Sequence, residues 1–448
     1  MFMKDTVKLK YCRNIFKTVF NKISSELFYK KNKKRSDKGM ALILVLGSIV
    51  ILTTMAVEFA YNTNVNYHLA RNEVDRLKAE YLAKSAFNFM QVELKFDRVF
   101  RQIVQSQNLG QYLGGNASLP LCQQFPLSTA LIRAVFMSGE EGGALPEEFK
   151  GMVSVSAESD AQDFLDFEGD FDGECIDEAT KINLNIFSNL DPAQKVGEGY
   201  NQYDSAKIDL ANFLGKESYR ELFEKAGVKV GDVVRNIADW VDPNEMINEI
   251  GGVEAGPEIV LYERTDAKYP IKNGKLTTLD EVYLVDGVID EWFFPVMKFF
   301  TIYGDGAVNI CRADILVIQN VIRRYVERNP NLPPIRLDDP ETMEKLVAAV
   351  SDGCSMGGIG DQQKQQIATS LDAAIGALGG TVERDENQPE TPPASGQSIL
   401  SQMITSESRF FRLVLTGSVG DISVKINAVL DVGDANPNRW KLLYWRLY

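Results

Sequence analysis

The strongest constraint on this chain is a run of 18 residues, Met40 to Val57, that holds no charged side chain and ends at Glu58. A hydrocarbon core of about 30 Å needs roughly 20 apolar residues in a helix, so the run is just long enough to span. It follows the basic stretch KKNKKRSDK at 30–38. By the positive-inside rule that flank stays cytoplasmic, and everything after Tyr61 faces the other side.

A secretory signal would have a shorter apolar core followed by a small-x-small cleavage site. Here the apolar run passes straight into NVNYHLARNEVDRLKAEYLAKSAFNFMQVELKF, which contains neither Gly nor Pro. Val74, Leu77, Tyr81, Leu82, Ala86, Met90 and Leu94 recur mostly at steps of three or four, an amphipathic pattern. The spacing predicts one helix of about 60–70 residues and, at 1.5 Å per residue, roughly 100 Å.

Charge divides the 448-residue chain unevenly. Residues 1–39 hold 12 Lys/Arg against 3 Asp/Glu, and the remainder 36 against 59. An acidic body opposes binding to nucleic acid and anionic lipid, and suits cations, calcium above all. The single histidine, His68, excludes a His-cluster metal site and argues against a Ser-His-Asp triad. No nucleophile–base pairing or Gly-rich phosphate loop is present, so an enzyme is not expected. The cysteines are Cys12, Cys122, Cys175, Cys311 and Cys354, with no CxxC pair. The last four allow two disulfides in three connectivities, or four free thiols.

Beyond the helix, MVSVSAES (152–159) alternates as a strand, and INLNIF reads as a second. From Asp191 to about Val350 the pattern turns helical. ANFLGKESYRELFEKAG, VGDVVRNIADWV, LTTLDEVYLV, ADILVIQNVIRRYVE and PETMEKLVAAVSDG are expected as separate short helices. Residues 376–398, rich in Gly and Pro, are expected as a flexible loop. FFRLVLTGSVGDISVKINAVLDV and RWKLLYWRLY then alternate as antiparallel strands that return to the sheet begun near residue 152.

A basic leader ending in Gly, an immediate apolar run and a long half-exposed helix resemble a type IV prepilin. The resemblance implies cleavage after Gly39 by a prepilin peptidase and methylation of the new N-terminus at Met40. Most members carry Glu at the fifth mature position, which here is Leu44. That carboxylate is thought to meet the N-terminal amine of a neighbouring subunit, and buried without such a partner it is costly. A subunit with nothing above it has no use for one. The large minor pseudopilin of type II secretion, the general secretion pathway protein K family, typically lacks it. The run Asp177, Glu178, Ile182, Asn183, Leu184, Asn185, then NIADWVDPNE, GGVEAGPEIVLYE, KYPIKNGKLTTLDEVYLVDGV and GAVNICRAD resemble consecutive K-family signatures in order.

The resemblance implies an α+β, type IV pilin-like fold with a large α-helical insertion. The expected divisions are a cleaved leader at 1–39, the transmembrane and amphipathic helix at 40–108, and a first β region at 109–190. A helical insertion at 191–375, the loop at 376–398 and C-terminal strands at 399–448 follow. It further implies a pseudopilus-tip subunit anchored once in the inner membrane, with its head in the periplasm, that helps export folded proteins. Its partners would be other minor pseudopilins, the major pseudopilin, the prepilin peptidase and the inner-membrane assembly platform. Two other readings share features of the sequence. One is a signal-anchored extracytoplasmic calcium-dependent enzyme or binding protein, the other a minor pilin of a type IV pilus.

Three local patterns invite a site. Asp239, Asp242, Asn244 and Glu245, followed by Glu254 and Glu258, place oxygen ligands in a turn with a glutamate returning from downstream. This suits calcium, which takes six to eight oxygens, and K-family members bind calcium. Asp and Asn also start turns and cap helices. Of this group, Asp239, Asp242, Asn244 and Glu258 are the expected ligands. Glu168, Asp170, Asp172 and Glu174 resemble the front of an EF-hand loop, but the twelfth position is Ala179, so an acidic hairpin is expected instead. KLTTLDEVYLVDGV and VNICRADILVIQNVI resemble helix-hairpin-helix modules, which the acidic body turns toward protein rather than DNA contact. In the C-terminal strand, alternate rings among Trp440, Tyr444, Trp445 and Tyr448 are expected in the core.

Overall fold

The computed structural model describes residues 38–106, 120–125, 127–130, 132, 167–193, 201–250, 253–263, 269–329, 332–356, 360–379 and 396–448. The expected strand at 152–159 lies outside them, as do residues 1–37 of the expected leader. The chain divides into two units, residues 1–73 and 74–448.

One helix, α1 (Lys38–Ser106), covers the apolar run and the amphipathic stretch without a break. In the first unit every residue from Leu42 onward is exposed, and the helix is long and apolar enough to cross a membrane. In the second unit the amphipathic stretch buries one face. Ala79, Ala83, Ala86, Met90 and Leu94 pack on a sheet, while Leu77, Tyr81, Val92 and Phe96 stay exposed on the other side.

That sheet has five antiparallel strands. They are β1 (Leu127–Ser128), β2 (Asp170–Asp177), and, far along the chain, β5 (Phe410–Val419), β6 (Ile422–Asp431) and β7 (Lys441–Leu447), in the order β1-β2-β5-β6-β7. β5 alternates half-buried and buried residues without exception. Its Phe411, Leu413 and Leu415 join Ile426, Ala428 and Leu430 of β6 beneath α1. Each of these side chains except Ala428 contributes about 1.5–3 kcal/mol when fully buried.

The helix sits so close to β5 that only glycine fits at one position. A Cβ on Gly417 would lie 2.1 Å from the Ala79 carbonyl oxygen and 2.7 Å from the Ala83 nitrogen. Backbone cannot give way as a side-chain tip can. Gly417→Ala should therefore cost about 1–3 kcal/mol. An unchanged urea midpoint in detergent would contradict this close approach.

The described residues between β2 and β5, within 178–409, form an insertion with its own core. Its helices include α2 (Gln202–Leu214), α3 (Glu217–Ala226), α4 (Val230–Val241), α5 (Ile315–Arg328), α6 (Pro340–Ser355) and α7 (Asp361–Gly379). A small hairpin joins β3 (Met246–Glu249) to β4 (Val253–Pro257). The core centres on Tyr203, Phe213, Trp292, Phe293, Phe300 and Tyr325. Cys311 pairs with Cys354, tying the turn before α5 to α6, and Cys122 pairs with Cys175 of β2.

The structure departs from several expectations. The acidic run at 168–174 is not a hairpin. It leads into β2, an interior strand of the sheet, whose inward residues are Phe171, Gly173, Cys175 and Asp177. INLNIF is a strand only at Ile182–Asn183. Asn183 then accepts a hydrogen bond from the Asn185 N–H and caps a 3-10 turn, Leu184–Asn189. ANFLGKESYRELFEKAG is two helices, broken at Gly215. LTTLDEVYLV contains a 3-10 turn, Leu279–Leu284, rather than an α-helix. Helix α7 continues through Gly379 and another helix begins at Gly396, which narrows the expected loop at both ends. β7 is an edge strand, so its rings are not alternately buried. Trp445 and Tyr448 are exposed, and Trp445 meets Phe87 of α1 edge-on.

Candidate metal centre

Helix α4 is strongly amphipathic, and its last turn carries Asp239 inward with the apolar residues. Asp242 caps its C-terminal end, and Glu258 follows β4. The three carboxylates are buried, and one oxygen from each lies within 4.8 Å of the others.

The hydrogen-bonding of this cluster is incomplete. Tyr203, on α2, donates from its hydroxyl to Asp242 Oδ2 at 2.5 Å and to Asp239 Oδ1 at 3.3 Å. The Asn248 N–H donates to Asp239 Oδ1 at 3.3 Å. Asp239 Oδ2 and both oxygens of Glu258 are buried and have no hydrogen-bond partner. A buried carboxylate left in that state is costly. Burial, then the neighbouring Asp239 and Asp242, push the Glu258 carboxyl up to about 9. Burial raises Asp239 to about 6 against the pull of Lys207, and Asp242 to about 6 against the Tyr203 hydrogen bond.

A cation would answer all three unpartnered oxygens at once. The donors are oxygens only, which suits a hard divalent ion rather than zinc or copper. Asp239, Asp242 and Glu258 would hold it, with carbonyls or water completing the six to eight ligands calcium takes.

No family model matches the chain, and no curated protein matches it. Among solved structures it is similar to a chain in the crystal structure of the GspK-GspI-GspJ complex from the type 2 secretion system of enterotoxigenic Escherichia coli. The identity is 14%, the TM-score 0.41, and the likeness covers 79% of this chain and 98% of that one.

Of the four expected ligands, the structure brings three together. Asn244 stands aside because its side-chain oxygen already accepts from the Met246 N–H at 2.8 Å and from Asn248 Nδ2 at 3.2 Å, holding the turn. Glu245 and Glu254 are exposed. Sequence reasoning missed Tyr203, Lys207 and Asn248. The signal was a lysine on the apolar stripe of α2, where Tyr203, Ala206, Lys207, Leu210 and Phe213 share the buried face.

The other expected sites fall as follows. Gly39 and Met40 lie in the first turn of α1. Leu44 is exposed on the same helix. Asp170, Asp172 and Glu174 point outward from β2 and form no loop.

Asp177, at the end of β2, stitches the sheet to the insertion, and Asn183 and Asn185 then brace the insertion from within. Asp177 accepts from Asn309 Nδ2 at 3.2 Å, from Arg312 at 3.3 Å and from the Ser408 hydroxyl. The Asn183 amide donates to the carbonyls of Tyr303 and Gly304. The Asn185 amide donates to those of Leu276 and Ile302, and its oxygen accepts from the Leu276 N–H.

Proposed function

We propose that this chain is a minor pseudopilin of a type II secretion system, of the K type, standing at the tip of the pseudopilus. One observation carries the reading. A single helix is apolar and exposed in its first part, with Leu44 where a shaft subunit carries a carboxylate, and packs its later part on an antiparallel sheet interrupted by a helical insertion.

In this reading the exposed apolar segment first rests in the inner membrane and then leaves it to pack among the helices of other pseudopilins. Leu44 suits a subunit with none above it. The head lies in the periplasm, and the insertion makes it bulky for a filament shaft, which favours a capping position beside other minor pseudopilins. The role is structural: starting assembly and helping folded proteins across the outer membrane. Calcium at the carboxylate centre would fasten the hairpin β3–β4 to α4 within the insertion.

The test is processing. Replacing Gly39 with a bulky residue should leave full-length precursor in membranes and abolish secretion. In the wild type, mass spectrometry should find a methylated Met40 as the mature N-terminus. Normal processing and secretion in the Gly39 variant would sink the proposal, and an intact residue 1 in the wild type would favour a simple signal anchor.

A further inference from the structure

The carboxylate centre already contains a cation. Lys207 is 1% exposed. Its ammonium donates to the Asn248 carbonyl, lies 3.6 Å from Asp239 Oδ1, and stands 4.5 Å from the centroid of the Tyr203 ring. A buried lysine is retained only where such partners offset its lost hydration.

The arrangement is one-sided. Lys207 reaches the centre from α2 and meets Asp239 on the oxygen that Tyr203 and Asn248 also contact. The other oxygen of Asp239, and both of Glu258, are left unpartnered. One ammonium also fails to balance the charge, since with all three carboxylates ionised, as a bound cation requires, one lysine leaves a double negative charge. That remainder matches a divalent ion and exceeds what a monovalent one neutralises.

Resting on the cation-site reading above, we propose that Lys207 is an internal counter-cation that sets the strength of the centre. It fastens the Asn248 end of the hairpin to Asp239 when no divalent ion is bound. It opposes entry of that ion, because the two share one carboxylate. The centre is therefore reversible, loading and unloading around a fixed scaffold. The lysine has no route of retreat, because Tyr203, Leu210 and Phe213 on either side of it along α2 are fully packed.

The test is calcium titration of the full-length chain in detergent, followed by calorimetry, for the wild type, Lys207→Met and Lys207→Arg. Methionine keeps the stem and removes the charge. Lys207→Met should bind calcium about tenfold more tightly or better, given the reach of a like charge at this distance in a buried site, and should melt below the wild type in a chelator. Lys207→Arg, which keeps the charge, should show no such tightening. If Lys207→Met folds only with calcium, that too supports the proposal. If it does not fold at all, Lys207→Gln takes its place under the same criterion. Equal or weaker calcium binding by the charge-free variant overturns the role of Lys207 while leaving the cation site standing. A wild type that takes up no calcium, and whose melting is indifferent to calcium and magnesium, removes the cation site and this proposal with it.

Discussion

Arg412→Met should destabilise the protein by about 3 kcal/mol, the low end of the range found when one partner of a buried ion pair is removed, because Lys181 still holds the carboxylate that stays behind. The charge left behind is Glu178, which is wholly buried. Its Oε1 accepts from Arg412 Nε at 2.6 Å and from Lys181 Nζ at 2.8 Å, and its Oε2 from the Thr301 hydroxyl at 2.5 Å. Burial pushes the Glu178 carboxyl upward, but Lys181 and Arg412 outweigh it and hold the group below its ordinary value of 4.5. A carboxylate depressed in the folded state adds stability above its unfolded value, and that stability is lost as pH falls through the folded one. The deficit of Arg412→Met should accordingly be full at pH 7 and shrink below about pH 4.5. Urea denaturation across that range measures both. A loss under 1 kcal/mol at pH 7, or one independent of pH, would show that Glu178 does not depend on Arg412. Pairing the substitution with Glu178→Met should recover part of the loss, because the wholly buried carboxylate is then gone and only the part-exposed Lys181 loses its partner.

This network also shows what the sequence could and could not disclose. The long helix was legible because apolar periodicity over many turns has one structural solution, and α1 runs from Lys38 to Ser106. The C-terminal strands were legible because Leu413, Leu415, Ile426 and Leu430 keep a period of two. β2 was obscured because its inward set is Phe171, Gly173, Cys175 and Asp177. Gly173 admits the Met90 side chain, and Asp177 is buried for its hydrogen bonds rather than for hydrophobicity. The candidate metal centre was half legible. Asp239 and Asp242 are neighbours in sequence and Glu258 is within reach of a turn. Tyr203 and Lys207 come from a separate helix, and nothing local announces that α2 packs across α4. The apolar stripe that buried Lys207 was the available clue.

The sharpest consequence of the carboxylate centre is a reversal of sign at Glu258. With calcium at a hundredfold excess over its dissociation constant, an ion bound only by the folded state stabilises it by about 2.7 kcal/mol. The wild-type chain should therefore melt higher in calcium than in a chelator. Glu258→Gln removes one of three charged ligands and should lose most of that gain. In the chelator the order should invert. There the wild-type side chain is 1% exposed, with both oxygens lacking a hydrogen-bond partner, and its carboxyl, pushed up to about 9 by burial and then by Asp239 and Asp242, must take up a proton on folding at neutral pH. The neutral amide avoids that cost at nearly the same volume, so Glu258→Gln should equal or exceed the wild type when no cation is present. A residue kept only for packing would lower the melting temperature by the same amount in both conditions. Thermal unfolding of the two proteins in calcium and in chelator separates these cases. Parallel losses would show that the cluster is an internal polar contact with no cation to hold, while crossing curves would place the ion on Glu258.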